Sequence, residues 1–304
     1  MKIVWATDGS AGSEGALPYL NGLFNLRENT IVVTAVAPAP LVSAARPDPA
    51  MLLWHLVPGY RERVSNEVTE LVVRQVGLLA KSRATVTSAV RLGSAPTEII
   101  LLARDEGADL VITGARGHTP AAEILLGSVS QQVATNAECA VLVVRGRKRP
   151  AKVLLAYDAS PDAQAGLELL ASLVPPKGAE VIVTAVVEPA MPALDAPPDW
   201  VPDSAQELER WRRTSARRNA QAAVRKLRAS GWSASSHIGT GHPGDSVLRT
   251  ARERGVDLVV MGARGIHSSD AEARGMGGIP RQVIERALCS VLISRDRLRE
   301  SPSA

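Results

Sequence analysis

The stretch ADLVITGARG (Ala108 to Gly117) returns almost unchanged as VDLVVMGARG (Val256 to Gly265). Each copy is a short aliphatic run that ends in Gly-Ala-Arg-Gly. A continuous Val- and Ile-rich run of this length is the pattern of a strand buried on both faces, as in a parallel sheet. A glycine-rich turn directly after such a strand is a place where backbone N–H groups converge and anions bind. The repeat extends outward: the opening KIVWATDGS (Lys2 to Ser10) returns as KVLLAYDAS (Lys152 to Ser160). The chain is therefore one α/β unit written twice, and what remains to be read is whether both copies keep the same chemistry.

Further runs of the same kind surround the quoted stretch. In the first half they are Ile3 to Trp5, Thr30 to Val36, Thr85 to Val90, Asp109 to Thr113 and Ala140 to Val144. In the second they are Val153 to Tyr157, Glu180 to Val187, Ser233 to Ile238, Asp257 to Met261 and Ser290 to Ser294. Helical periodicity falls between them, at Ser13 to Leu26, Tyr60 to Lys81, Thr97 to Glu106 and Ser128 to Asn136, with counterparts in the second half. Alternation of strand and helix predicts two tandem, doubly wound, five-stranded parallel-sheet domains of Rossmann-like type. The boundary falls in Arg145 to Pro150, giving domains 1–147 and 148–304, with a connection short enough to hold the copies as a fixed pair. A Pro-rich segment follows the second strand of each copy, at Ala37 to Pro49 and Glu188 to Asp203. It reads either as a surface connection or as a flap over the carboxyl edge of the strands.

Length and composition narrow the classes. The 304 residues accommodate about two domains of ordinary size, and 45% apolar content with few aromatics fits an aliphatic core. No apolar run approaches the roughly 18 residues that span a bilayer, and the strand pattern begins at Lys2 with no leader-like segment, so the cytoplasm is the expected compartment. The two cysteines, Cys139 and Cys289, stand at matching places and read as buried thiols in a reducing compartment, with a disulfide as the alternative. The densest basic stretch, Arg210 to Arg228, is interleaved with Glu, Trp, Ala and Leu at helical spacing. It reads as a solvated helix face, and no nucleic-acid or membrane partner is expected.

The chemistry concentrates in the first copy. Gly114 ends the fourth strand, Gly117 opens the following turn, and Gly127-Ser128 begins the next helix. Free N–H groups and the positive end of the dipole favour phosphate at that helix start, and Ser128 and Ser130 add hydroxyls there. Asp8 lies just past the first strand, at the adjacent strand end, where a carboxylate can accept hydrogen bonds from a ribose or a base. Each element is common alone; Asp8-Gly-Ser10 also reads as a turn and cap. Together they describe a nucleotide site.

The same residues carry a resemblance. The chain resembles a tandem universal stress protein of the ATP-binding subclass, whose G-x2-G-x9-G-[ST] pattern is matched by Gly114, Gly117, Gly127 and Ser128. The likeness covers nearly the whole chain and includes the DGS turn at Asp8, the GSxSxxV helix start and the closing ECAVLVV strand. It implies ATP as ligand, with Mg²⁺ as an optional companion. Thr7 and Asp8 would lie near adenine and ribose, Val36 against the base, Gly114 and Gly117 around the phosphates, and Gly127, Ser128, Val129 and Ser130 as further phosphate contacts. It also implies dimers paired through the last strand, here either an intrachain pair through Val141 to Val144 and Val291 to Ser294 or a homodimer, and an unknown protein partner that reads the nucleotide-bound state.

The second copy departs from this pattern. Cys139 and Cys289 are 150 positions apart, whereas Gly114 and Gly262 are 148 apart, so two extra residues lie between Gly265 and the second helix start. Aligned from the cysteine, Gly277 falls opposite Gly127, Gly278 opposite Ser128 and Pro280 opposite Ser130. Both hydroxyls are gone and Pro280 lacks an N–H. Asp158, Val186, Gly262 and Gly265 persist, so the second site is expected to be weakened or vestigial. Catalysis has little support: there is no Walker GxxxxGK[ST], no GxSxG and no HExxH among His55, His118, His237, His242 and His267. Arg116 and Arg264 recur in both turns, either to contact phosphate or to pair with a nearby helix. The expectation is a nucleotide-binding regulatory module, with a slow nucleotide hydrolase or a nucleotide-free scaffold as alternatives.

Overall fold

The computed structural model describes residues 1–24, 29–39, 57–80, 82–117, 126–188, 202–266 and 275–296. These residues divide into two compact units, one comprising Met1–Arg149 and the other Pro150–Asp296. In the first unit the elements run β1 (Lys2–Ala6), α1 (Ala11–Glu14), α2 (Ala16–Leu23), β2 (Thr30–Pro38), α3 (Tyr60–Leu78), β3 (Thr85–Gly93), α4 (Ala95–Asp105), β4 (Leu110–Gly114), α5 (Ser128–Asn136) and β5 (Ala140–Val144). The second unit repeats this as β6 (Lys152–Ala156), α6 (Pro161–Ser172), β7 (Glu180–Val187), α7 (Pro202–Ala229), β8 (Ser233–Thr240), α8 (Pro243–Arg254), β9 (Leu258–Gly262), α9 (Gly278–Arg286) and β10 (Ser290–Ser294).

Each unit is a five-stranded parallel sheet, ordered β3-β2-β1-β4-β5 in the first and β8-β7-β6-β9-β10 in the second. Strands are added on one side of β1 and then on the other. With right-handed crossovers this places α2 and α3 on one face and α4 and α5 on the opposite one. The Val/Ile runs explain the layers: every residue of β4, β5 and β9 is buried, because helices cover both faces. β3 is different, alternating exposed and half-buried positions as an edge strand does. The aspartate of each quoted repeat anchors the opposite end of the sheet. Asp109 accepts the Lys2 N–H at 2.7 Å, and Asp257 accepts the Ala151 and Lys152 N–H groups at 3.0 and 2.9 Å.

Several boundaries differ from those expected, each for a local reason. The first helix begins at Ala11 because Ser10 caps it, its Oγ accepting the Ser13 N–H, and it is interrupted at Gly15, where a Cβ would collide with the Gly146 carbonyl. α4 begins at Ala95 because Pro96 is well placed in a first turn, and α3 stops at Leu78. Neither Cys139 nor Cys289 is in a disulfide, so the disulfide alternative does not hold. The Pro-rich segments lie almost wholly outside the described residues, as do His55, His118 and His267. No described helix is long and apolar enough to cross a membrane.

The turn after the first strand of each unit requires a left-handed residue. Gly9 meets this at φ +76°, and Ala159 occupies the equivalent place at φ +65°. A Cβ there is disfavoured by about 1–2 kcal/mol, partly offset by the smaller unfolded-state entropy of Ala. Replacing Ala159 by Gly should therefore raise the stability of the second unit by about 0.5–1 kcal/mol in urea unfolding followed by circular dichroism. A loss of stability would contradict this reading of the turn.

Candidate functional site

In the first unit β1 and β4 are neighbours, with Ala6 in register with Thr113. The chain leaving β1 at Thr7-Asp8 therefore emerges beside the chain leaving β4 at Gly114-Ala115. This is the switch point of the sheet, where strand order reverses and doubly wound folds accept ligands. Gly114 lets α1 approach closely: a Cβ on it would lie 2.7 Å from Gly12 C and 2.7 Å from Ser13 N. Gly12 in turn faces the Arg116 carbonyl, with room for no side chain, and the Ser10 hydroxyl donates to that carbonyl at 3.4 Å. The two loops are thus held backbone against backbone.

Asp8 is exposed at the mouth of this junction. Its Oδ1 accepts the Ser10 N–H at 3.0 Å, and its Oδ2 occupies the space where a Cβ on Gly117 would stand. Gly117 is thus glycine because the Asp8 carboxylate needs its place. Thr7 is used inside the turn: its Oγ1 accepts the Gly9 N–H at 3.1 Å and shares a hydrogen bond with Ser13 Oγ at 3.0 Å. Its hydroxyl therefore shapes the floor. Val36, half-buried near the outer end of β2, adds an apolar surface on the neighbouring strand.

The phosphate end is the start of α5. Gly127 is the N-cap residue, and its N–H is spent on the Ala115 carbonyl at 2.8 Å. No side chain caps this nine-residue helix, and its first internal hydrogen bond is from Gln131 N–H to the Gly127 carbonyl. The N–H groups of Ser128, Val129 and Ser130 accordingly have no helical carbonyl to meet, and the helix dipole adds positive potential there. Ser128 is exposed. The structure revises the part expected of the Ser130 hydroxyl. Ser130 is buried and its Oγ donates to the Gly114 carbonyl, with Thr113 Oγ1 donating to the same carbonyl at 2.9 Å. Ser130 clasps strand to helix, and its outward donor is the backbone N–H.

The second unit repeats the frame. The Gly277 N–H donates to the Ala263 carbonyl at 2.9 Å, Ser160 Oγ donates to the Arg264 carbonyl at 3.2 Å, and Asp158 Oδ1 accepts the Ser160 N–H at 2.9 Å. α9 starts at Gly278 as α5 starts at Ser128, which is the register counted from the cysteines. Asp158 Oδ2 accepts the Ile266 N–H at 3.1 Å, close to Gly265, and Val186 is half-buried on β7 as Val36 is on β2. The proline at Pro280 is buried in the first turn of α9 and removes one donor, leaving the N–H groups of Gly278 and Ile279.

Two substitutions within the site stand outside the glycine pattern and are visible in the sequence only when the two copies are set side by side. Opposite Thr7 is Tyr157, a buried ring whose hydroxyl donates to Gln164 Oε1 at 2.8 Å. Burial first, and then the negative charges of Asp158 and Glu168, raise its pKa, so it stays a neutral phenol. Opposite Gly12 is Asp162, and it captures the loop arginine. Arg264 Nε meets Asp162 Oδ2 at 2.9 Å and Nη2 meets Oδ1 at 3.3 Å, with the side chains 8% and 2% exposed. The Asp296 N–H completes the carboxylate at 2.8 Å. Pairing with a nearby helix is thus the outcome for Arg264. In the first unit the position of Asp162 is Gly12, which has no side chain. Among the described residues no group of three or more His, Cys, Asp or Glu is placed to hold a metal ion. His242 lies 3.8 Å from Asp245 on the surface of α8, and His237 is on the edge strand β8.

Comparison with known proteins agrees with the geometry. The model of the universal stress protein family matches residues 1–145 and again residues 151–295. A universal stress protein of Methanocaldococcus jannaschii, MJ0577, is 28% identical over 152 residues, covering 47% of this chain and 94% of its own. A second from the same organism, MJ0531, is 31% identical over 149 residues, covering 49% of this chain and 84% of its own. Among solved structures, a universal stress protein from Archaeoglobus fulgidus superimposes with a TM-score of 0.63 at 21% identity, covering 97% of this chain and 98% of the other. A functionally unknown protein from Pseudomonas aeruginosa gives 0.62 at 16% identity, covering 98% and 94%. At these identities the two structures bear on the fold alone. Two matches to one family model, each on a complete five-stranded unit, account for the repeat: the chain belongs to the universal stress protein family, with two copies of its domain in tandem.

Proposed function

We propose that the chain is a nucleotide-responsive regulatory protein of the stress response, acting in the cytoplasm, whose first domain binds ATP or a related adenine nucleotide and whose nucleotide-bound state is read by a protein partner. The observation that carries this reading is the uncapped start of α5 beside the junction of β1 and β4. Three backbone N–H groups and the Ser128 hydroxyl are available to phosphate oxygens. Asp8 is exposed at the same mouth to accept hydrogen bonds from a ribose, and Val36 offers the base an apolar neighbour. Arg116 stands in the same loop, with Gly12 at the position where the second unit has Asp162. Mg²⁺ would come with the nucleotide, bound by its phosphates, since the described residues supply no ligand cluster of their own.

The second domain is proposed as a weak site or none. Tyr157 fills the place of Thr7, Asp162 holds Arg264, and the donors lost at α9 are the Ser128 hydroxyl and the N–H at position 280. A hydrogen bond to a charged group contributes about 1.5–3 kcal/mol, so two of them amount to two orders of magnitude in affinity or more. Turnover is assigned to neither site. ATP hydrolysis with added Mg²⁺, compared with Asp8→Ala, separates a binding protein from a slow hydrolase, and nucleotide released on denaturing the purified protein separates both from a ligand-free scaffold.

Isothermal titration with ATP should give one tight site per chain; two sites of equal affinity would contradict the proposed asymmetry. Gly117→Val should lower ATP affinity at least a hundredfold while the circular dichroism spectrum is kept, because the new Cβ displaces Asp8 and stiffens the turn. Unchanged affinity would mean that the loop is only a connection.

A further inference from the structure

α7 is unlike α3, its counterpart in the first unit. α3 carries three arginines (Arg61, Arg63, Arg74) against three glutamates (Glu62, Glu67, Glu70). Between residues 207 and 228, α7 carries eight cations against Glu207 and Glu209 alone. The buried positions of its carboxyl half, Ala220, Ala223, Val224 and Leu227, mark the side that packs on β7 and β8. From residue 207 to residue 219, more than three turns, no residue is buried. This stretch nevertheless includes Trp211, whose exposure of 64% places a large apolar ring in water.

The charges sort by face. On or near the packed side, Arg213 pairs with Glu209 at 3.0 Å, Lys226 with Glu168 at 3.1 Å, and Arg228 donates to the Ala234 carbonyl at 3.0 and 2.8 Å. The opposite side carries Trp211, Arg218 and Arg225 at intervals of seven, which stack along one helix face. These two arginines form no ion pair or side-chain hydrogen bond among the described residues. At 1.5 Å per residue the stripe is about 21 Å long.

We propose that this outward face of α7 is the docking surface for an acidic segment of a partner protein, whose carboxylates meet Arg218 and Arg225 and whose apolar side chain covers Trp211. Tryptophan and arginine are the residue types that dominate protein interface hot spots, and Arg218 and Arg225, which meet no carboxylate among the described residues, are complementary to a pair of anions. A bilayer is disfavoured because the apolar face of the helix is spent on its own sheet. A nucleic acid is disfavoured because two or three phosphate contacts hold weakly at physiological salt. The proposal stands apart from nucleotide binding and can fail without it.

The test uses the full chain and a fluorescein-labelled peptide of Glu and Leu, roughly 15 residues long so that it spans the stripe, with a single-stranded oligo(dT) of similar length as the second probe. Fluorescence anisotropy should show binding of the peptide, weakened about tenfold or more by Trp211→Ala and by the pair Arg218→Glu and Arg225→Glu. The pair Arg63→Glu and Arg74→Glu on α3 makes the same change in net charge and should leave affinity unchanged. All these positions are exposed, and circular dichroism checks that each variant is folded. Absence of peptide binding, an equal loss from the α3 pair, or tighter binding of the oligonucleotide would each overturn the proposal.

Discussion

Both units depend on one close approach: the glycine that ends the fourth strand lets the start of the first helix sit directly on it. At Gly114 a Cβ would stand 2.7 Å from Ser13 N, and at Gly262 it would stand 2.8 Å from Ala163 N. No other side chain fits without moving the backbone. This contact brings the loop after β1 and the loop after β4 together, places Asp8 over Gly117, and sets the start of α5 at the same mouth. The strand-end glycine is thus first a packing residue, and its value to a ligand follows from the packing.

On that shared frame the two copies diverge by small changes with large local effects. In the first, Gly12 keeps the junction narrow and has no side chain to offer the loop after β4. In the second, Asp162 at the same place forms a buried ion pair with Arg264. A buried pair of this kind is weak evidence of added stability, since desolvation offsets most of the attraction. What it does change is where the guanidinium points: into the protein, against Asp162. Tyr157 and Pro280 act in the same direction, by filling space and by removing a donor. One frame therefore supports two electrostatic outcomes.

Much of this was legible in the sequence because the signals are local. Val/Ile runs marked the strands within a few residues, and counting back from Cys289 placed Gly277, Gly278 and Pro280 where α9 begins. What was not legible depends on contacts distant in the chain. The need for glycine at position 15 comes from the Gly146 carbonyl, which leaves no room there for a Cβ. The inward turn of the Ser130 hydroxyl is imposed by the carbonyl of Gly114. Tyr157 and Asp162 were visible as letters, opposite Thr7 and Gly12. Their meaning needed the geometry that places one beside Gln164 and the other beside Arg264. α7 likewise read as an ordinary solvated face until burial separated the arginines with partners from those without.

The central claim is that two copies of one fold divide into a nucleotide site and an altered one. The most direct measurement is photolabelling of the full chain with azido-ATP, followed by mass-spectrometric mapping of the modified peptides. The account predicts adducts within residues 1–149, competed away by unlabelled ATP, and little label within residues 150–296. Equal, competable labelling of both units, or labelling confined to the second, would contradict it.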